Sequence, residues 1–177
     1  MDQARLDHVL APEWLGDPTT IPMEELRARR AELQALEVTL SYQRRIAQGR
    51  LDIVAAERQR RAEGAPPPDP EAVVAHLTGI LAPNTRGSGV GRLSQLLAPD
   101  AEGSGTPELD AIAGPDVLSS LTELGDGELD QLVDTLADLE AATSKSRRAL
   151  HDRIDALQRE VVRRYRTGEA SVETLLQ

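Results

Sequence analysis

Apolar residues recur at steps of three and four along two long stretches of the chain. The first stretch runs from Pro22 to Glu63 without a further Pro and with Gly49 as its only Gly. Its repeated apolar positions are Leu26, Leu33, Leu36, Leu40, Ala47, Leu51 and Val54. This spacing predicts one helix of about forty residues, roughly 60 Å long. Gly64 and the prolines at 66–68 are expected to end it.

A second stretch with the same periodicity follows Gly125 and extends to about Thr167. Its apolar positions are Leu129, Leu132, Leu136, Leu139, Leu150, Ile154, Leu157 and Val161. Heptads that are apolar on one side and charged on the others are typical of a coiled coil, and such helices are unstable alone. The sequence therefore predicts an all-α fold, in which two long helices form an antiparallel coiled-coil hairpin joined by a long segment with short helices. The connection permits either orientation, and the antiparallel one is simpler.

The pattern divides the chain into five parts. They are an N-terminal arm (1–21, poorly ordered to residue 20), a first coiled-coil helix (22–63), a connecting segment (64–125), a second coiled-coil helix (126–167) and a C-terminal tail (168–177). Within the connecting segment, Pro-containing starts at Asp69, Thr106 and Gly114 predict short helices, the first of them reaching about Leu81. Gly- and Ser-rich residues predict loops over 83–92 and 99–107. No alternating strand pattern is present.

Composition supports helix-on-helix packing and excludes several classes of site. Among 177 residues there is no Phe, one Trp and two Tyr, so the core must be built from Leu, Ala, Val and Ile. The absence of Cys excludes a disulfide framework, a Cys-based zinc site and a Cys nucleophile. Apolar runs are too short to span a membrane, and the N-terminus does not resemble a secretory signal, so a cytoplasmic location is expected.

The two long helices are related by an internal repeat. At an offset of 103 residues, identical pairs include Glu25/Glu128, Leu26/Leu129, Leu33/Leu136, Leu36/Leu139, Glu37/Glu140, Ser41/Ser144, Arg44/Arg147, Arg45/Arg148, Arg50/Arg153, Asp52/Asp155, Glu57/Glu160, Arg60/Arg163 and Arg61/Arg164. No gap is needed to align them. A shared heptad accounts for the Leu matches, so the polar matches are the informative ones.

Five of the repeated positions form a polar stripe on each helix, at steps of 4, 3, 4 and 4 residues. The stripes are Glu37, Ser41, Arg44, Gln48 and Asp52 in the first helix, and Glu140, Ser144, Arg147, His151 and Asp155 in the second. Side chains at these steps share an arc of roughly 80° on a helix. Beside the stripes, the heptad positions carry smaller or polar side chains in place of large apolar ones: Gln43 and Ala47 in the first helix, and Ala142 and Ser146 in the second.

A guanine nucleotide with several phosphates would use all the groups of such a stripe. A carboxylate accepts hydrogen bonds from the guanine N1/N2 edge, whereas Arg binds O6 and N7, stacks on a purine or clamps a phosphate. Two stripes imply two equivalent ligands or one ligand with two-fold symmetry. The alternative interpretation is a solvated flank of the coiled coil, which is the usual role of charges on a helix. The duplication of the whole pattern, and a Ser in the middle of each helix, argue against it.

The pattern Glu-x3-Ser-x2-Arg-x3-Gln-x3-Asp, carried once on each helix of a coiled coil, resembles the signature of the RsiG family. These proteins are cyclic di-GMP-responsive anti-sigma factors of sporulating actinobacteria. The first stripe matches all five positions, and the second matches four, with His151 in place of Gln. The resemblance covers about residues 22–63 and 126–167.

The resemblance implies a function. The ten stripe residues would bind cyclic di-GMP as a dimer, and the loaded protein would sequester a flagellar-type sigma factor, WhiG, and so repress sporulation genes. Linkage requires the sigma factor to tighten nucleotide binding in turn. Two motif copies in one chain predict a monomer before the complex forms. No basic residue lies between Arg92 and Lys145, so this acidic part either covers a basic surface of the sigma factor or keeps a linker soluble.

Other functions are open to test. A coiled-coil adaptor without a ligand would bind a partner through its apolar positions, and its polar stripes would be structural. The net charge of −10 argues against direct DNA binding. We expect no enzymatic activity, because His8, His76 and His151 have no metal-ligand spacing, and Glu57 and Glu160 are expected to pair with neighbouring Arg residues.

Overall fold

A computed structural model of the chain describes residues 3–67 and 106–170. Its two long helices are α3 (Met23–Ala62) and α6 (Asp126–Thr167). The short helices are α1 (Gln3–Leu10), α2 (Pro12–Leu15), α4 (Pro107–Ala113) and α5 (Pro115–Ser119), and 3₁₀ turns occupy Pro18–Thr20 and Leu121–Glu123. Every regular element in these ranges is helical. None of their helices is long and apolar enough to cross a membrane.

The long helices pack side by side in opposite directions. Arg27, near the start of α3, contacts Tyr165, near the end of α6, whereas Arg61 at the end of α3 binds Asp126 at the start of α6. The predicted all-α fold with a hairpin of two long helices is thus confirmed. One half of a capping box begins α6, where the Gly125 N–H donates to Glu128 Oε2 at 2.8 Å. Gly168, with φ of +75°, ends it in the left-handed conformation.

A line of buried apolar side chains, the seam, joins the long helices. In α3 they are Leu26, Leu33, Leu36, Leu40, Ala47 and Val54, and in α6 they are Leu129, Leu136, Leu150, Ile154, Leu157 and Val161. The heptad series of α6 is interrupted at Thr143, the repeat counterpart of Leu40. The core accordingly divides into two clusters, one toward each end of the hairpin.

The prediction of a poorly ordered N-terminal arm is wrong. Residues 3–20 contain α1, α2 and a 3₁₀ turn, and Leu6 and Val9 are 2% and 0% exposed within the same cluster as Leu36 and Leu40. An eight-residue helix has almost no stability of its own, so α1 is stabilised by its packing on the hairpin. Periodicity over so few residues does not predict such packing.

The short helices expected after Thr106 and Gly114 are present as α4 and α5. Of the loop expected over 99–107, residues 99–105 lie outside the described residues, and the end is wrong because Pro107 begins α4. The helix expected over 69–81 and the loop expected over 83–92 lie outside the described residues.

The internal repeat extends well beyond the long helices. Helices α2 and α5 begin at Pro12 and Pro115, and the 3₁₀ turns begin at Pro18 and Leu121, both at the 103-residue offset. Each half of the described chain is therefore two short helices, a 3₁₀ turn and a long helix. Because the long helices are antiparallel, the two halves are related by an approximate two-fold axis that passes between Ser41 and Ser144.

Arginines near the ends of the long helices fasten each half to the other. Arg61 of α3 donates to the carbonyls of Leu121 and Leu124 at 2.8 and 2.7 Å. Its counterpart, Arg164 of α6, donates to the carbonyls of Pro18 and Thr19 at 3.1 and 2.9 Å. The Pro18 and Leu121 carbonyls also accept a backbone N–H within their own turns, and the arginine bonds hold both 3₁₀ turns against the hairpin.

Candidate functional site

The two polar stripes lie side by side on one face of the hairpin, which we call the motif face. Arg44 Nη1 donates to Glu140 Oε1 at 3.3 Å, and Arg147 Nε donates to Glu37 Oε1 at 3.4 Å. These two cross-helix pairs are counterparts under the repeat. A two-fold axis perpendicular to the hairpin relates α3 to α6, and it necessarily brings both stripes to the same side.

Each motif glutamate is held by a hydroxyl from its own helix and a guanidinium from the other. Ser41 Oγ donates to Glu37 Oε1 at 2.6 Å, and Ser144 Oγ donates to Glu140 Oε1 at 2.8 Å. Each Ser is four residues after its Glu, so one helical turn brings the two side chains together. This arrangement explains why a hydroxyl, rather than a stronger helix former, occupies these positions.

The fourth and fifth motif positions differ between the two helices. Gln48 Nε2 donates to Asp52 Oδ1 at 2.9 Å within α3. In α6, His151 Nε2 lies 3.1 Å from Glu37 Oε1 of the other helix. Asp155 is exposed, and within the described residues its carboxylate has no hydrogen bond or ion pair.

The motif face is neither fully buried nor fully solvated. Arg44 and Arg147 are 31% and 34% exposed, and Glu37 and Glu140 are each 20% exposed. Partial desolvation strengthens contacts to a charged ligand while leaving the guanidinium groups within its reach. Arg44 Nε is buried and has no hydrogen-bond partner among the described residues, so the outer nitrogens of this guanidinium are the ones a ligand could reach.

The thinning of the apolar positions corresponds to a cavity on the other side of the seam. A cavity of about 470 Å³ separates the hairpin from α1 and α4. Gln43, Ala47, Ala142 and Ser146 line it together with Leu6 of α1 and Leu109 of α4, among others. No motif side chain lines it. The small seam residues therefore belong to this cavity, and they do not support a site on the motif face as the sequence had suggested.

Two repeated ion clusters stabilise the ends of the hairpin. Hydrogen bonds from Arg60, helped by Arg61, lower the pKa of the buried Glu57 to about 2, although burial opposes the shift. Arg163 and Arg164 lower the pKa of Glu160 to about 2 in the same way. The predicted pairing of these glutamates with neighbouring arginines is confirmed, and it is structural, because Arg61 and Arg164 also hold the 3₁₀ turns.

Sequence reasoning missed the residues that attach the short helices. Arg50 forms an ion pair with Asp110 of α4, and its counterpart Arg153 donates to the Leu10 carbonyl at 2.6 Å. Both arginines retain a buried Nη1 without a partner. Their identity across the repeat was the available signal, but it does not reveal which segment they bind. Nor does it reveal that each motif Arg binds the Glu of the opposite helix.

A comparison with protein families gives one match, to the family described as RsiG-like. The family model aligns with residues 12–81 and 115–177. The match contains α3 and α6 in full, and with them both polar stripes. Among curated proteins, none matches this chain. The match covers most of the chain and both halves of the repeat, so the chain belongs to the RsiG-like family.

Proposed function

We propose that this protein is a cyclic di-GMP-responsive anti-sigma factor. The RsiG-like family implies an anti-sigma role and a sigma-factor partner, and it is not a family of enzymes. The nucleotide, and a WhiG-type sigma factor as the partner, are the proposed parts. The observation that carries the proposal is the pair of two-fold-related Arg–Glu contacts on the motif face.

The chemistry of the motif face supports a cyclic guanine dinucleotide. Such a ligand has two guanines and two phosphates related by two-fold symmetry, as the two stripes are. The Glu and Asp carboxylates match the N1/N2 donors of guanine, and the Arg guanidinium groups match phosphate or the O6/N7 edge. A dimer of the nucleotide centred on the axis near Ser41 and Ser144 would contact both stripes equally.

The acidic part of α6 supports a basic protein partner. Exposed acidic residues precede and occupy the first half of this helix: Glu123, Asp126, Glu128, Asp130, Asp134 and Asp138. Asp126 and Asp130 pair with Arg61 and Arg58 of α3, but Asp134 and Asp138 have no ion pair within the described residues. Sigma factors carry basic DNA-binding surfaces, which such a ridge would attract.

Calorimetric titration with cyclic di-GMP tests the ligand, with cyclic di-AMP as the control nucleotide. The Arg44→Ala/Arg147→Ala variant is expected to lose at least about tenfold in affinity, because each Arg supplies a charge-assisted contact. The matched control is Arg58→Ala/Arg166→Ala, which also removes one exposed Arg from each long helix but leaves the motif face intact. Equal binding of both nucleotides, or no effect of the motif variant, would contradict the proposal.

A second candidate function is a coiled-coil adaptor that needs no nucleotide. The observation that favours it is that each motif Arg already pairs with the Glu of the opposite helix. The same variants distinguish the two functions when capture of the sigma factor is measured with and without cyclic di-GMP. An adaptor would bind the sigma factor equally in both conditions.

A further inference from the structure

The two-fold relation on the motif face holds at three positions and fails at the fourth and fifth. Glu37 and Glu140 each accept from the Ser four residues later and from the Arg of the opposite helix. The fourth position is Gln48 in α3 and His151 in α6. Gln48 binds within its own helix, whereas His151 reaches across to Glu37.

Neither helix by itself carries a complete binding unit. We therefore define two half-sites by their contacts. The Glu37 half-site contains Glu37 and Ser41 of α3 with Arg147 and His151 of α6. The Glu140 half-site contains Glu140 and Ser144 of α6 with Arg44 of α3. Each half-site thus joins the carboxylate and hydroxyl of one motif copy to the guanidinium of the other.

The two half-sites differ in what surrounds their carboxylate. Glu37 Oε1 accepts hydrogen bonds at 2.6 and 3.4 Å and also lies 3.1 Å from His151 Nε2, whereas Glu140 Oε1 accepts hydrogen bonds at 2.8 and 3.3 Å and has no imidazole beside it. A ligand that donates to the carboxylate must compete with those partners. In the Glu140 half-site it meets one neighbouring group fewer.

We propose that the two half-sites bind a guanine nucleotide with unequal affinity, that the Glu140 half-site is the tighter one, and that His151 sets the difference. The inference rests on the proposed nucleotide function and adds an order of loading to it. One polar contact to a charged group corresponds to a difference of about tenfold between the half-sites. Half-loaded protein would then exist over an appreciable range of nucleotide concentration.

The test uses single Arg variants, since each Arg belongs to one half-site. In the natural sequence, Arg44→Ala should reduce cyclic di-GMP affinity several-fold more than Arg147→Ala does. In a His151→Gln background, which restores Gln at both fourth positions, the two losses should become equal. In a Gln48→His/His151→Gln background, which exchanges the two residues, Arg147→Ala should become the more damaging variant. Far-UV circular dichroism of each variant checks that the hairpin is intact.

The outcomes separate this inference from the function on which it rests. Equal losses in the natural sequence, or an order that does not follow the position of the His, would overturn the inference and leave nucleotide binding standing. If the unmodified protein binds no cyclic di-GMP, either alone or with the sigma factor, the proposed function is overturned, and the inference with it.

Discussion

At the scale of single residues, Glu57 and Glu160 carry the clearest electrostatic signature of the molecule. Both are nearly buried, both have a pKa of about 2, and each binds two arginines that follow it by three and four residues. A carboxylate whose pKa is lower in the folded state than in the unfolded chain stabilises the fold when it is ionised. That stabilisation is complete above the unfolded pKa of about 4.5 and is lost as the pH falls toward 2.

We therefore predict that the free energy of unfolding decreases between pH 4.5 and pH 2, and that Glu57→Gln/Glu160→Gln flattens this decrease while lowering stability at pH 7. Urea unfolding followed by circular dichroism across that range measures both effects. Glu13→Gln is the control, since Glu13 is exposed and has no ion pair within the described residues. A pH profile that keeps its slope in the double variant would show that other carboxylates cause the acid sensitivity.

Residue types and spacings were also the part of the site that sequence could supply. The two stripes, their four-residue Glu–Ser steps and the pairing of Glu57 and Glu160 with nearby arginines all depend on helical geometry within one chain segment. The crossed Arg44–Glu140 and Arg147–Glu37 contacts depend on how the two helices are aligned along their axes. Residue spacing within one helix does not predict that alignment. The contact of His151 with Glu37 was unforeseen for the same reason.

At the scale of elements, the long helices were predictable and the first short helix was not. A heptad pattern over forty residues averages out local exceptions, whereas α1 has only Leu6, Val9 and Leu10 to mark its apolar side. Pro107 and Pro115 predict the starts of α4 and α5, because Pro is favoured in the first turn of a helix. Helix α1 has no such start signal in the sequence, and it is stabilised by its packing on the hairpin.

The packing of α1 leads to a stability prediction. Leu6→Ala should cost about 2–5 kcal/mol of unfolding free energy, because Leu6 is 2% exposed within the main apolar cluster. His8→Ala, on the exposed side of the same helix, should change stability by no more than about 0.5 kcal/mol. Chemical denaturation measures both. Nearly equal values for the two variants would mean that α1 does not contribute to the folded core.

At the scale of the whole molecule, symmetry of shape coexists with asymmetry of charge. The same arrangement of elements occurs twice, yet the first half of α6 presents Asp130, Asp134 and Asp138 where the equivalent part of α3 presents Arg27, Ala31 and Ala35. The motif face is thus shared by both halves, while the acidic ridge belongs to one. A partner attracted by this ridge would dock in a single orientation, although the motif face is nearly two-fold symmetric.

This asymmetry predicts a charge-dependent association with the sigma factor. Asp134→Asn/Asp138→Asn should slow association about three- to tenfold and reduce its sensitivity to salt, because long-range attraction acts mainly on the association rate. Biolayer interferometry at two ionic strengths, with cyclic di-GMP present, provides the rates. Glu24→Gln/Asp152→Asn removes the same charge from exposed positions outside the ridge and should leave the rate unchanged. If both double variants slowed association equally, the rate would depend on the net charge of the protein and not on the acidic ridge.

The crossed Arg–Glu pairs of the motif face have a consequence for how the two long helices find their alignment. Apolar positions that repeat every seven residues can meet again after a slip of one heptad, and the seam opposes such a slip mainly where its series is interrupted at Thr143. The same slip would shift the partners of Glu37 and Glu140 by about 10 Å and break both crossed pairs together. The crossed pairs on the motif face therefore help to fix the register of α3 against α6. A compound that contacted both stripes at once would favour this same register.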